Sequence, residues 1–341
     1  MPQRIPGKLD IAQVYNDSWR GWPVRPHNQQ HPVRGSFLDP RPDPELGAIY
    51  HEGVDVAVRD DRPERGAPAG RTHRVYAIEG GPVFLATPRG ARGFARIAHF
   101  GYGHIDPLVQ TGQTVVPGQH IGWTCKDDWH LHLSEFVFTS GPPLLVNPLR
   151  PGGKLHPYAD TARPEIREVR FYTPANPRWT RRPLTSVARL PAAGARISRE
   201  QLFGRVDARV RVSDPQSFIG WFRDLPWLAA PHHPFRLAVT ITDLTTGRVV
   251  RRREAFRAEQ LPDIPAGRHF APGTEQNLPA HGCMLRHSTM RCDGVYWFRL
   301  FPNYWDTTRV PDGRYEVRVR AWDLADNLAS TRVAIRIANG L

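Results

Sequence analysis

Residues 50–58 read YHEGVDVAV and residues 130–138 read HLHLSEFVF. Each is a short run without helical periodicity, and each places chemistry-bearing side chains at even spacing, so each reads as a strand with one functional face. The sequence between them breaks into further runs of the same kind: HRVYAI, GPVFLA, FARIAHF and TVVPGQHIGW, separated by Gly and Pro. No run with a helical period intervenes, which predicts an all-β first half built as an antiparallel sheet. Upstream, residues 1–50 are rich in Pro, aromatic and polar residues and read as an irregular wrap around a core.

The second half repeats the pattern. In GRYEVRVRAWD, Tyr315, Val317, Val319 and Ala321 alternate with Glu316, Arg318, Arg320 and Trp322. FRLAVTITD, with Phe235, Leu237, Val239 and Ile241, and TRVAIRI, with Val333, Ile335 and Ile337, alternate likewise. Short alternating strands joined by turns predict a β-sandwich. Pro and Gly cluster in NPLRPGGKLHPYADTARPE (147–165). The expected organisation is an irregular extension over 1–34, a β-sheet domain over 35–150, a linker over 151–165 and a basic β-sandwich over 166–341.

Charge divides at the same place. The 341 residues carry 46 Lys+Arg against 33 Asp+Glu, a net charge of +13. Residues 1–160 are close to neutral, at +1, and residues 161–341 hold +12. Only Lys8, Lys126 and Lys154 are lysines, so the basic residues are almost all Arg. Such a half can engage an anionic polymer or surface. No stacking motif, recognition helix or basic helix accompanies it, so nucleic acid is not the expected partner. No stretch approaches 18 apolar residues, which excludes a spanning helix, and residues 1–30 show no signal-peptide core. Cys283 and Cys292, eight residues apart, are spaced for a disulfide-closed loop, with two free buried thiols as the alternative.

The even spacing in the two opening strands groups one set of residues. His51 and Asp55 are four apart and share a strand face, with Gly53 leaving room above it; His130 and His132 share another. Two imidazoles and a carboxylate are a common ligand set for a catalytic zinc, whose fourth position is left for water. An HxH pair alone is common, and the two pairs together carry the expectation.

The order HxGVD, VYAIEGGPV, YGHI, GQTVVPGQHIG, HLH resembles the lysostaphin-type, or LytM-like, zinc metallopeptidases over roughly residues 35–138. The resemblance implies a peptidoglycan endopeptidase in which His51, Asp55 and His132 bind Zn2+, while His130 and His104 line the site and act in catalysis, hydrolysing peptide bonds through a zinc-activated water. Tyr102 is considered as a further donor, and His99 as a rival to His104. The resemblance also implies an extracellular or cell-envelope location, with peptidoglycan as partner and anionic wall polymers as a ligand of the basic half. Departures are Ile105 for the usual Leu, TCKDDW before HLH, Leu133-Ser134-Glu135 after it, and a long segment after Asp55. A catalytically silent LytM-like domain that binds or regulates wall enzymes is the first alternative, and an Arg-rich anionic-polymer-binding protein the second. PDGRYEVRVRAWDLADNLASTRVAIRI is similar to the last hairpin of immunoglobulin-like or fibronectin-like modules, with Asp326 where Gly is usual.

Overall fold

A computed structural model of the chain describes residues 21–43, 47–90, 92–174, 194–218, 223–225, 230–277 and 294–340. Cys283 and Cys292 lie outside the described residues. The expected all-β class holds, with 46% of the described residues in strands and 2% helical.

The first half contributes β1 (Val33–Gly35), β2 (Pro40–Asp43), β3 (Gly47–Tyr50), β4 (Val54–Ala57), β5 (Arg71–Tyr76) and β6 (Gly81–Ala86). It continues with β7 (Gly93–Ile97), β8 (Phe100–Pro107), β9 (Thr114–Val115), β10 (His120–Cys125), β11 (His130–Val137) and β12 (Leu144–Val146). Ten of these form one antiparallel sheet with the central order β1-β4-β11-β8-β7-β6-β9; β10 pairs with β5 and β8, and β12 with β11. Strands β2 and β3 form a separate hairpin. The segment 33–50, expected to be irregular, thus contains three strands. Pro40 and Pro42 fit there because β2 is hydrogen-bonded on one side only, so a missing N–H is not missed.

The second half contributes β13 (Glu165–Tyr172), β14 (Arg196–Ile197), β15 (Arg205–Ser213), β16 (Arg236–Asp243), β17 (Val249–Arg257), β18 (Tyr296–Arg299), β19 (Trp305–Asp306), β20 (Gly313–Trp322) and β21 (Leu328–Ile337). One sheet runs β14-β13-β15-β18 with β19 against β15, and the other β17-β16-β20-β21. Alternation sets the faces. Tyr315, Val317, Val319 and Ala321 of β20 are buried, as are Leu237, Val239 and Ile241 of β16, while the arginines between the β20 residues face outward. Asp326 in the β20–β21 turn takes φ +66°, a left-handed conformation that Gly enters freely and Asp tolerates.

Buried residues of both halves form one continuous apolar cluster, from Trp22 and Val33 to Phe298 and Ile337. Polar contacts reinforce it. Val33 exchanges two hydrogen bonds with the Gln216 side chain (2.8 and 2.9 Å), and Tyr296 donates to Asp39 (3.0 Å). Glu135, fully buried on β11, forms a bidentate pair with Arg150 (2.6 and 2.8 Å), locking the strand to the chain that leaves it. No helix among the described residues is long and apolar enough to cross a membrane.

Several buried histidines are held neutral. Burial lowers His31 to about 4, and lowers His232 and His233 as well. A histidine whose folded pKa lies below its unfolded value stabilises fully above pH 6.5 and less as pH falls towards the folded value. His31 alone is therefore expected to withdraw about 3 kcal/mol between pH 6.5 and 4. Urea unfolding across that range checks this: stability must fall towards acid, and His31→Gln must flatten the slope.

Candidate metal centre

Strand β4 lies between β1 and β11, and its register places His132 directly opposite Asp55, with His130 opposite Ala57. His51 precedes β4 on a turn fixed by two backbone bonds with the 38–39 segment, Leu38 N to His51 O and His51 N to Asp39 O. Three atoms converge: His51 Nε2 lies 3.1 Å from Asp55 Oδ1 and 2.9 Å from His132 Nδ1, and the last two are 3.0 Å apart. Bonds of about 2.0–2.2 Å at tetrahedral angles set donor atoms about 3.3 Å apart, so this triangle is close to one face of a tetrahedral site. Among the described residues these three form the one group of His, Cys, Asp or Glu with metal-holding geometry.

The partners behind the triangle argue for a cation in front of it. His51 Nδ1 donates to the Ser36 carbonyl (2.9 Å), and a carbonyl only accepts, so the neutral ring presents a bare Nε2. His132 Nε2 lies 3.0 Å from Ser134 Oγ, and donation there leaves Nδ1 bare as well. Arg41 holds the other Asp55 oxygen at 2.9 Å, turning Oδ1 towards the imidazoles. Electron-rich atoms then face one another with no proton between them, an arrangement that a bound metal ion relieves. Such outer hydrogen bonds orient ligands and set their tautomers. Burial, then Arg41, lowers His51 below the ordinary histidine range. Burial alone would raise Asp55, but His51, His130 and the imidazole hydrogen bonds hold it well below the carboxylate range. Both shifts favour the unprotonated forms of His51 and Asp55 that a metal ion requires.

Two further histidines stand beside the triangle. The Asp128 carbonyl accepts from both His130 Nδ1 and Arg34 Nη1, each at 2.5 Å, which leaves His130 Nε2 bare and 3.6 Å from Asp55 Oδ1. Burial, reinforced by Arg34 and His104 against the pull of Asp55, lowers His130 well below the usual value. The His104 ring is 4.5 Å from that of His130 and 6.2 Å from that of His132, centroid to centroid. His104 takes φ +59°, and its side chain is 35% exposed, the most open of the five. Its pKa is lowered to about 4, chiefly by burial. Asp128 Oδ1 is 3.6 Å from His104 Nδ1 and bonds Arg92; burial raises that carboxyl to about 6.

The structure therefore brings His51, Asp55, His132, His130 and His104 into one cluster. His99 is elsewhere, on the β7–β8 turn against Glu79 (2.8 Å). Tyr102 is no donor to the site: it is fully buried in the core, where its oxygen accepts from Ile78 N (2.9 Å). Two residues earlier on the same strand face did not mean the same environment, because the left-handed turn at His104 redirects the chain. Cys125 is a buried free thiol outside the metal-holding group. Sequence reasoning missed Arg34, Arg41, Asp128 and Ser134. The pair Asp127-Asp128 before HLH was a visible signal for one of them, while Arg34 and Arg41 sit in Pro-rich sequence without a motif.

Comparison with protein-family models, curated proteins and solved structures found no match for this chain.

Gly53 tests the packing of the centre. A Cβ there would meet the Leu133 carbonyl at 2.5 Å and the His132 ring at 2.8 Å. Gly53→Ala is expected to cost about 1–3 kcal/mol through overpacking and to displace the His132 ring. Affinity for a divalent metal ion measured by chelator competition should fall at least tenfold, whereas Gly141→Ala, whose Cβ would meet only Thr139 Oγ1 at an ordinary 3.7 Å, should leave it unchanged.

Proposed function

We propose that this chain is a zinc-dependent metalloendopeptidase of the lysostaphin or LytM type that cleaves peptide bonds of peptidoglycan in the cell envelope. The observation that carries the reading is the triangle of His51 Nε2, Asp55 Oδ1 and His132 Nδ1 with two more imidazoles beside it. Zinc fits this nitrogen-rich set, and when bound it supplies an acidified water and a Lewis acid for a carbonyl. Asp55, His51 and His132 hold the ion.

His130 is the general base: its bare Nε2 faces the ligand side of the site, while the Asp128 carbonyl takes the Nδ1 proton. Burial beside Arg34 makes a lasting imidazolium there costly, so a proton accepted at His130 Nε2 is passed on quickly to the leaving amine. His104, half-exposed at the mouth and placed near Asp128, donates to the carbonyl oxygen as negative charge builds. The complete ligand set speaks against a catalytically silent relative. The two-sheet second half agrees with an immunoglobulin-like β-sandwich.

Purified cell walls, product identification and metal analysis test the proposal together. His132→Ala should lose both bound zinc and hydrolysis. His130→Ala should keep its zinc while hydrolysis drops by about 10²–10⁴-fold. Undiminished wall digestion by both variants would refute it.

A further inference from the structure

Part of the basic excess of residues 161–341 is concentrated on one face. On the outer face of the sheet β17-β16-β20-β21, cross-strand register sets Arg318 directly opposite Arg332, and Arg314 directly opposite Arg336. Across Thr240 of β16, the row continues from Arg318 to Arg252 of β17. Arg320, two residues along from Arg318, stands beside Ser330 on β21 and Ala238 on β16. Strands lie about 4.8 Å apart and alternate residues about 6.8 Å apart, so the guanidinium stems form a lattice with that spacing. Their aliphatic parts cover Thr240 and Ala238, which are 9% and 8% exposed although they point outward.

This arrangement is electrostatically unfavourable by itself. Like charges directly opposite on a sheet destabilise it. The acidic residues on the face are Glu254 and Glu316; Glu316 lies 3.5 Å from Arg332, and Asp312, just before β20, is close enough to Arg336 for that guanidinium to lower its carboxyl, so the arginines of the lattice outnumber the carboxylates beside them. Glu254 is taken up by Arg236 and Arg257, at 3.3 and 2.7 Å. Burial, then Arg318, Arg252 and Arg236, lowers the Arg320 guanidinium below its ordinary value. Register divides the run Arg251-Arg252-Arg253 of β17, with Arg252 on this face and the other two on the opposite side of the edge strand.

We propose that this arginine lattice is the docking surface for a flexible polyanion, a sugar or polyol chain carrying phosphate or carboxylate groups. Its repeating charge matches the excess of arginine over carboxylate on this face. Phosphate and carboxylate both match the planar fork of Arg. A nucleic acid fits less well. Single strands bind on open aromatic faces, and the aromatic residue on this face, Trp322, is 9% exposed with Arg236 and Arg320 over its ring at 4.0 and 5.2 Å.

The test uses the full-length protein and reads binding alone, so it is independent of hydrolysis and of the metal centre. Poly(glycerol phosphate), polygalacturonate and an oligothymidylate of similar length are titrated at 50 and 200 mM salt. Wild type is expected to bind one or both of the first two, and which of them separates phosphate from carboxylate recognition. Arg318→Gln with Arg332→Gln should weaken that binding at least tenfold and make its salt dependence shallower by about one and a half units of logarithmic slope. The same variant should melt at the same temperature as wild type or higher, because a repulsive pair has been removed. Absence of binding to either polymer, unchanged affinity in the double variant, or tighter binding of the oligothymidylate would overturn the proposal.

Discussion

The candidate metal centre depends on one short strap, Val33–Arg41, held from two sides. On one side the second half grips it: Gln216 and His232 bond the Val33 backbone, the latter at 2.7 Å, Tyr296 bonds Asp39, and Gln276 accepts from Arg41 at 3.0 Å. On the other side the strap holds the site, through Ser36 on His51, Arg41 on Asp55 and Arg34 on the Asp128 carbonyl that also accepts from His130. Gly35 makes this closeness sterically feasible, since a Cβ there would lie 2.4 Å from Asp55 Oδ2. Rotamers fixed by hydrogen bonds at both ends keep the ligands within reach of one ion without a reorganisation cost on binding.

This arrangement also explains the unusual density of buried polar groups where the halves meet. Asp39 is fully buried and shared by Ser36, Tyr296 and the nearby His233 ring. A buried carboxylate is costly unless such donors surround it, and removing one donor leaves a cost larger than the bond itself. The contact therefore specifies one orientation of the strap more than it adds net stability. Apolar packing around Val33, Phe37 and Phe298 supplies the stability.

The fold and the first set of site residues were legible because β structure exposes its plan in a period of two. His51 with Asp55, and His130 with His132, announced shared faces, and GRYEVRVRAWD announced a half-buried strand. What a period cannot encode is which strand lies opposite which. The pairing of β4 with β11 makes two separate motifs into one centre, and it is a long-range fact set by packing. The strap was hidden for a related reason. Its strands are short, Pro40 stands at the start of one, and Arg34 and Arg41 look like surface arginines in the sequence although Arg34 is buried and Arg41 largely covered. Tyr102 shows the opposite error, a residue in the right motif whose ring the core claims.

The two halves manage charge in opposite ways, and the difference follows from burial. At the centre nearly every ionic group is matched within a few ångströms: Arg41 with Asp55, Arg92 with Asp128, Arg150 with Glu135. An unmatched charge there would have to be desolvated, so near-neutrality of residues 1–160 is a condition of building a site under cover. The outer face of the β17-β16-β20-β21 sheet is wet, and there repulsion between guanidiniums is screened within about 8–10 Å at ordinary salt. Water and salt let that face carry its excess positive charge without unfolding the sandwich, while the buried face of the same strands, Tyr315 to Ala321, supplies the cohesion. Alternation along a single strand thus separates two demands that one surface could not meet together, a dry core and a dense array of like charge.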